Sequence, residues 1–237
     1  MKTLAVLTSG GDSPGMNAAI RAVTKLAAAK GLRVMGALEG YDGLMEGRFR
    51  ELTRSLSDGT QSVDLEVDAA GNQGGTIIGS ARSMRFRDPA GRKAAMEQLK
   101  KIGAEGLIVI GGNGSLTGAH LLAVEQGVRL IGIPGSIDND IGCTSTALGV
   151  DTALNTIVEA CDRISDTARA HRRAFVVEVM GRYDAFWQEQ PLQAMVGLNA
   201  NVPIYRRRLD AAVCEAGFRL SQRRAEYRQR VDDINRE

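Results

Sequence analysis

The strongest constraint on the fold of this chain is an alternation of short apolar runs with amphipathic segments of helical periodicity. The apolar runs predict buried strands at 4–7, 34–38, 107–110, 130–133 and 175–180. Helices are predicted at 16–30, 89–101, 115–126 and 151–168. Strands connected through helices lie parallel in one sheet. We therefore predict an α/β fold in which a doubly wound, mostly parallel sheet has helices on both faces, giving three αβα layers.

The connecting segments are less regular. Residues 40–43 have the glycine-rich composition of a turn, and residues 76–78 form a short β-branched run. Residues 55–75 are polar and carry no clear periodicity.

Glycine marks the ends of four predicted strands. The glycine-containing loops 9–15, 111–115, 134–140 and 181–182 each follow a strand directly. In a doubly wound sheet such loops meet at one edge, where ligands bind. Glycine lets backbone N–H groups approach a ligand, and the following helix directs its positive end toward it. Tight βα turns would need the same glycines, but four coincident loops favour a phosphate site.

Two standard nucleotide motifs are absent from these loops. Gly10 and Gly15 have the spacing of a P-loop, but Met16 and Asn17 replace the required Lys and Ser/Thr. The loop that starts at Gly112 begins like a dinucleotide fingerprint, but its third glycine, Gly118, comes one residue late.

The loop 134–140 adds acidic side chains, because Asp138 and Asp140 are two residues apart. Phosphoryl transfer needs a base near the attacking hydroxyl and cations around the phosphoryl group. Either aspartate could be the base or help to hold magnesium, and Arg82, Arg173 and Arg182 could supply positive charge. Turn capping is the alternative explanation of an Asp-Asn-Asp loop.

Charge and cysteine content exclude other classes of protein. Thirty basic and 28 acidic residues give a net charge of +2, so neither nucleic acid nor a membrane surface is expected as a partner. No apolar run approaches the roughly 18 residues of a spanning helix, and the start of the chain does not resemble a signal peptide. Cys143, Cys161 and Cys214 form no CxxC pair, which indicates reduced thiols, no zinc site and a cytoplasmic location.

Taken together, the motifs resemble those of bacterial-type ATP-dependent 6-phosphofructokinase. The residues that carry the resemblance are LTSGGDSPGMNAAIR (7–21), GGTIIGSAR (74–82), IGGNGS (110–115), PGSIDND (134–140) and VVEVMGR (176–182). The family transfers the γ-phosphoryl group of ATP to the 1-hydroxyl of fructose 6-phosphate in glycolysis, with Mg²⁺. The resemblance thus implies ATP and fructose 6-phosphate as partners, and a homo-oligomer, which is a tetramer in the family.

The resemblance also implies roles for individual residues. Asp138 would take the hydroxyl proton, and Arg182 would stabilise charge during transfer. The nucleotide would be contacted by Gly11, Arg82, Ser83, Gly112, Asn113, Gly114 and Ser115. The sugar phosphate would be contacted by Ser136, Ile137, Asp138, Asp140, Arg173, Met180, Gly181 and Arg182, with Arg173 reaching across a subunit boundary. Residues 1–148 would form a nucleotide-binding lobe and 149–182 the start of a sugar-phosphate lobe.

The chain departs from the family pattern at several positions. Asn113 stands where the family has a metal-binding Asp, so it is the residue implied for Mg²⁺. Gly114 and Gly135 stand where pyrophosphate-using relatives carry Asp and Lys, which favours ATP as the donor. The effector-phosphate contacts would be Arg21, Lys25 and Arg54, but Ser165 occupies a further Arg position, which argues against allosteric control.

The resemblance stops after residue 182, and the remaining segment has a different composition. Twenty-six of the 28 glycines precede residue 183, whereas 205–237 contains nine Arg, six acidic residues and no Lys. Its apolar spacing predicts an Arg-rich helical tail, which could be a pairing helix or unrelated sequence joined to a truncated kinase. For its arginines, a solvated helix face is favoured over an RNA surface. Three alternatives for the chain follow: an active ATP-dependent kinase, a nucleotide-binding or regulatory fragment, or a pyrophosphate-dependent variant.

Overall fold

The computed structural model describes residues 2–173, 175 and 177. The described residues fall into two compact units, one up to Val150 and one from Asp151 onward, and each is described by itself.

The first unit alternates strands and helices along the chain. Its strands are β1 (Thr3–Ser9), β2 (Arg33–Ala37), β3 (Phe49–Glu51), β4 (Thr53–Ser55), β5 (Gln61–Val63), β6 (Ala104–Gly111) and β7 (Leu130–Pro134). Its helices are α1 (Met16–Ala29), α2 (Gly40–Glu46), α3 (Leu65–Ala70), α4 (Pro89–Lys101) and α5 (Asn113–Gln126), and a 3₁₀ turn spans Arg85–Arg87. Helix α6 (Val150–His171) accounts for most of the described part of the second unit.

Five strands form one sheet in the order β3-β2-β1-β6-β7. The pairs β1–β2, β1–β6 and β6–β7 are parallel, and only the edge strand β3 runs antiparallel to its neighbour. Strands β4 and β5 form a separate antiparallel pair. The carboxyl ends of β1, β6 and β7 therefore lie at the same edge of the sheet.

The alternation of side chains along the central strands separates two apolar cores. Ala5 and Leu7 of β1 pack with buried residues of α2, α4 and α5. Val6 packs on the opposite face with buried residues of α1 and α3. Because successive side chains of a strand point to opposite faces, a central strand buried on both faces is apolar throughout. The predicted doubly wound sheet with helices on both faces is confirmed.

Most predicted elements of this sheet are present with shifted ends. The predicted turn at 40–43 is wrong, because Gly40–Glu46 forms helix α2. The run 76–78 is not a strand either. The predicted strand at 175–180 and the helical tail after residue 182 lie outside the residues that the structure describes, apart from isolated positions of that strand.

Candidate functional site

Hydrogen bonds join three glycine-rich loops at the carboxyl edge of the sheet. The Ser115 hydroxyl donates to the carbonyl of Ser9 at 2.9 Å, which connects the end of β1 to the start of α5. The Gly135 N–H donates to the Gly111 carbonyl at 2.9 Å, which connects the loop after β7 to the end of β6. The predicted convergence of the loops 9–15, 111–115 and 134–140 is therefore present.

Two helices begin at this edge without a side-chain cap. Gly15 precedes α1 and Gly112 precedes α5, and neither can offer a capping side chain. The first N–H groups of a helix have no partner within the helix. Because they carry the positive end of the helix dipole, they are suited to bind phosphate. The 14-residue helix α5 thus presents the backbone of Asn113–Ser115 at the edge.

The glycines of the loop after β6 differ in the space around them. A Cβ at Gly111 would lie 2.5 Å from the carbonyl oxygen of Ser9 and 2.9 Å from the Cβ of Ser115. A Cβ at Gly114 would meet nothing within 4 Å, and Gly114 is exposed. Gly111 therefore allows β1 and α5 to approach each other, whereas Gly114 leaves open space in front of the helix.

Tyr41 of helix α2 contacts this loop, and no motif or spacing in the sequence points to it. Its buried hydroxyl donates to the Ser115 carbonyl at 2.6 Å, and its ring stacks on Phe86 with a centroid distance of 3.7 Å. Burial raises the pKa of Tyr41 well above its ordinary range. The neutral phenol is therefore the form that fits the folded chain.

Replacing Tyr41 with Phe should cost about 1 kcal/mol of stability near pH 8, because the hydrogen bond to Ser115 is lost. Above about pH 10 the unfolded tyrosine ionises while the buried one stays protonated, so this contribution declines with rising pH. The difference in unfolding free energy between the parent and Tyr41→Phe should therefore close by pH 11 in urea titrations. A difference that stays constant from pH 8 to pH 11 would contradict the assignment.

A fourth segment, residues 73–83, is fixed against the first loop. The buried Asn17 donates to the carbonyls of Gln73 and Gly74 and accepts from the N–H of Ile77 at 2.7 Å. Farther along the segment, the carbonyl of Ala81 accepts a hydrogen bond from the Gly10 N–H at 3.1 Å. Asn17 stands in the sequence only as a departure from a P-loop, yet in the structure it holds the segment that contains Arg82.

The two nucleotide contacts predicted on this segment differ in their surroundings. Arg82 is exposed. The Ser83 hydroxyl donates to Asp42 Oδ1 at 2.7 Å and accepts from the Phe86 N–H. The Ser83 side chain is thus engaged in the structure of its own loop, while the Arg82 guanidinium is open to solvent.

The acidic loop after β7 is held by its own polar side chains. The Ser136 hydroxyl accepts from the Asp138 N–H at 3.2 Å, and Asn139 Oδ1 accepts from the Ala147 N–H at 2.9 Å. Asn139 has a φ of +49°, a left-handed conformation that asparagine tolerates. The predicted residues Ser136, Ile137 and Asp138 are partly exposed beside the loop 111–115, and Asp140 is exposed.

Asn113 links the second phosphate loop to the acidic loop. Its side-chain Nδ2 donates to the Asp140 carbonyl at 2.9 Å. Within the described residues no hydrogen bond to Oδ1 of Asn113 is found, and the loop that Asn113 contacts carries Asp138 and Asp140. Mg²⁺ is commonly held by one or two carboxylates together with substrate phosphates. This donor set fits Mg²⁺, although no cluster of three or more His, Cys, Asp or Glu occurs in the described part of the chain.

Of the remaining predicted sugar-phosphate residues, the structure describes one. Arg173 is exposed and belongs to the second unit. Met180, Gly181 and Arg182 lie outside the described residues. Of the expected effector contacts, Arg21 pairs with Asp68 at 2.6 Å.

The two cysteines in the described residues, Cys143 and Cys161, are free thiols. Cys214 lies outside that part of the chain. Within it, no helix is both long enough and apolar enough to cross a membrane.

Comparison with known proteins identifies relatives of this chain. A family model described as Phosphofructokinase matches residues 3–187, slightly beyond the predicted extent of 1–182. An ATP-dependent 6-phosphofructokinase of Thermotoga neapolitana is 52% identical over 189 residues, which are 78% of this chain and 55% of that protein. One from Yersinia pestis is 50% identical over 184 residues, which are 77% and 53% of the two chains. The chain therefore spans about half the length of these relatives.

Solved structures give the same picture of the fold. Phosphofructokinase from Saccharomyces cerevisiae aligns with a TM-score of 0.67 and 38% identity, over 83% of this chain and 28% of that one. A pyrophosphate-dependent phosphofructokinase from Marinobacter aquaeolei aligns with a TM-score of 0.63 over 82% of this chain and 50% of that one. At 22% identity, the second likeness supports the fold alone.

Proposed function

Because this chain belongs to the phosphofructokinase family, we propose that it binds ATP and transfers its γ-phosphoryl group to the 1-hydroxyl of fructose 6-phosphate. The product is fructose 1,6-bisphosphate, and the reaction belongs to glycolysis. The observation that carries the proposal is the meeting of two uncapped helix N-termini with an acidic loop at one sheet edge.

Two groups of residues at this edge have different proposed roles: one binds the nucleotide and the other binds the sugar phosphate. The backbone of Gly11 and of Gly112–Ser115 binds the nucleotide phosphates, with Arg82 and Ser83 beside them. Asp138 is the base that accepts the proton of the attacking hydroxyl, and positioned bases of this kind typically contribute about 10²–10⁴-fold to a rate. Ser136, Ile137 and Asp140 contact the sugar phosphate on the acidic side.

Two arginines supply cations to the proposed reaction. Arg173 binds the sugar phosphate, in an oligomer from a neighbouring subunit, together with Met180 and Gly181. Arg182 stabilises the charge that develops in transfer, because a guanidinium matches phosphoryl oxygens with two donors. We also propose that the protein is a homo-oligomer in the cytoplasm. Each chain would contain a nucleotide lobe (1–148) and the start of a sugar lobe (149–182).

Mg²⁺ would be held by the side-chain oxygen of Asn113, with Asp140 assisting near the ion. When bound, it neutralises charge on the transferred phosphoryl group. An amide in place of a carboxylate removes a full negative charge from the site, so the chain itself holds the ion less strongly. The role of Asn113 is to keep the two loops together through its hydrogen bond to Asp140.

The open space at Gly114 supports ATP over pyrophosphate as the donor. Nothing lies within 4 Å of a Cβ at this position, so the adenosine side of a nucleotide has room. A carboxylate there would occupy that space and repel the α-phosphate. We therefore propose the ATP-dependent reaction.

Gly114→Asp should fold normally and weaken ATP binding by about tenfold, since like charges placed together oppose association. Calorimetric titration with ATP and with pyrophosphate measures the two affinities, and Gly114→Asn controls for size without charge. Unchanged ATP affinity in Gly114→Asp would remove the argument for the donor.

A second candidate function is a nucleotide-binding or regulatory fragment without turnover. The chain spans 55% of the Thermotoga neapolitana relative. An assay of the purified 237-residue chain that detects fructose 1,6-bisphosphate, with ATP or pyrophosphate as donor, distinguishes the candidates. Turnover with ATP supports the kinase, turnover with pyrophosphate alone identifies the other donor, and ATP binding without turnover identifies the fragment.

A further inference from the structure

We propose that Arg92 is a positioning residue of the nucleotide site, which sets the place of the ATP-contacting segment relative to helix α5. The inference rests on the proposed function, because the site it serves is the proposed ATP site. Arg92 lies on α4, outside every motif that carries the family resemblance.

The Arg92 side chain is buried and nearly saturated with hydrogen bonds. Its exposed fraction is 4%, a rare value for an arginine. Its Nε and Nη2 donate to the two carboxylate oxygens of Glu125 at 2.6 and 2.7 Å. Its Nη1 donates to the carbonyls of Phe86 and Arg87 at 3.0 and 2.6 Å. Four of the five N–H groups of the guanidinium are therefore used.

These contacts join two parts of the nucleotide site that are distant in sequence. Phe86 and Arg87 form the 3₁₀ turn that follows Arg82 and Ser83. Glu125 lies in the last turn of α5, the helix whose first turn is the phosphate loop. Arg92 thus fixes the ATP-contacting segment to the carboxyl end of α5.

The same segment is fixed to the other end of α5 through Tyr41. Phe86 is buried and stacks on the Tyr41 ring, and the Tyr41 hydroxyl donates to the Ser115 carbonyl. A Cβ at Gly118 would lie 3.2 Å from the Phe86 ring, so the ring also packs closely on α5 itself. With one attachment at each end of the helix, the segment has little freedom to slide along it.

Lysine would not replace arginine in this role. Its ammonium has three donors and no planar fork, so it would not serve both Glu125 oxygens and both carbonyls together. The positive charge would remain, but the 3₁₀ turn would lose hydrogen bonds to its carbonyls. A misplacement of about 1 Å between reacting groups costs up to about 100-fold in rate, and a displaced contact segment should lower ATP affinity as well.

The test measures Mg-ATP affinity of the full chain and of Arg92→Lys by calorimetry, at a temperature where thermal melts show both folded. Arg50→Lys is the control, because Arg50 on β3 also pairs with two carboxylates, Asp64 and Glu66, which lie directly after β5. We expect affinity to fall by about 10- to 100-fold in Arg92→Lys and to stay unchanged in Arg50→Lys. Amide hydrogen exchange should also rise at 83–87 in Arg92→Lys alone.

Every outcome bears on the inference. Parent-like affinity in Arg92→Lys, or an equal loss in both variants, overturns it. If the parent chain binds no ATP, the proposed function fails, and the exchange rates at 83–87 then decide: faster exchange in Arg92→Lys alone supports the holding role, and unchanged exchange overturns it. If Arg92→Lys does not fold, Glu125→Gln takes its place in both measurements with the same expectations.

Discussion

We expect Asp138→Asn to lower ATP-dependent formation of fructose 1,6-bisphosphate by about 10²–10⁴-fold and to leave ATP affinity unchanged. Asparagine keeps the shape of the side chain but has no basic oxygen to accept the proton of the attacking hydroxyl. Asp138 is half-buried in the loop that Ser136 and Asn139 hold at the carboxyl edge of the sheet. The loss should therefore fall on the turnover number.

The measurement is a coupled assay at saturating ATP beside a calorimetric titration of the same sample. Asp58→Asn is the matched control, because Asp58 is an exposed carboxylate in the turn between β4 and β5. Turnover in Asp138→Asn equal to that of the parent chain would exclude Asp138 as the base. A loss of equal size in Asp58→Asn would show that the assay reports folding instead of chemistry.

Gly111→Ala should lower the free energy of unfolding by about 3 kcal/mol, the upper part of the usual range for overpacking. The added Cβ would stand 2.5 Å from the Ser9 carbonyl and 2.9 Å from Ser115 Cβ. Neither neighbour can yield easily, because Ser9 is paired in the central strand and Ser115 is buried in the first turn of α5. The strand end and the helix start must therefore separate, and ATP affinity should fall with stability.

Urea unfolding measures the first effect and calorimetry with Mg-ATP the second. Gly142→Ala is the control, since Gly142 lies in a loop where a Cβ meets nothing within 4 Å and φ is not left-handed. Gly142→Ala should match the parent in both measurements. A Gly111→Ala chain as stable as Gly142→Ala would contradict the close approach of β1 and α5.

The central sheet could be predicted from the sequence, because each buried strand is a local run of apolar residues. A strand buried on both faces is a continuous apolar run, as in β6, where Leu107–Ile110 are all buried. Helix α2 could not be predicted from the sequence, because two of its first four residues are glycines, and glycine weakens a helix. The fold requires Gly43 all the same, since a Cβ there would overlap the Leu38 carbonyl oxygen.

The candidate site could likewise be predicted only in part. The meeting of its loops follows from parallel strands, which bring their carboxyl ends to one edge. The side chains that hold the loops act over long sequence separations: 74 residues from Tyr41 to Ser115, 57 from Asn17 to Gly74 and 33 from Arg92 to Glu125. A single sequence contains no periodicity or spacing that reports such pairs, so only the folded chain identifies them.

Binding of ATP phosphates at this sheet edge can be measured by one calorimetric titration of the full 237-residue chain with Mg-ATP. We expect saturable binding at one site per chain that Gly111→Ala weakens and Gly142→Ala leaves intact. Absence of saturable binding, or equal binding in Gly111→Ala and the parent chain, would contradict it.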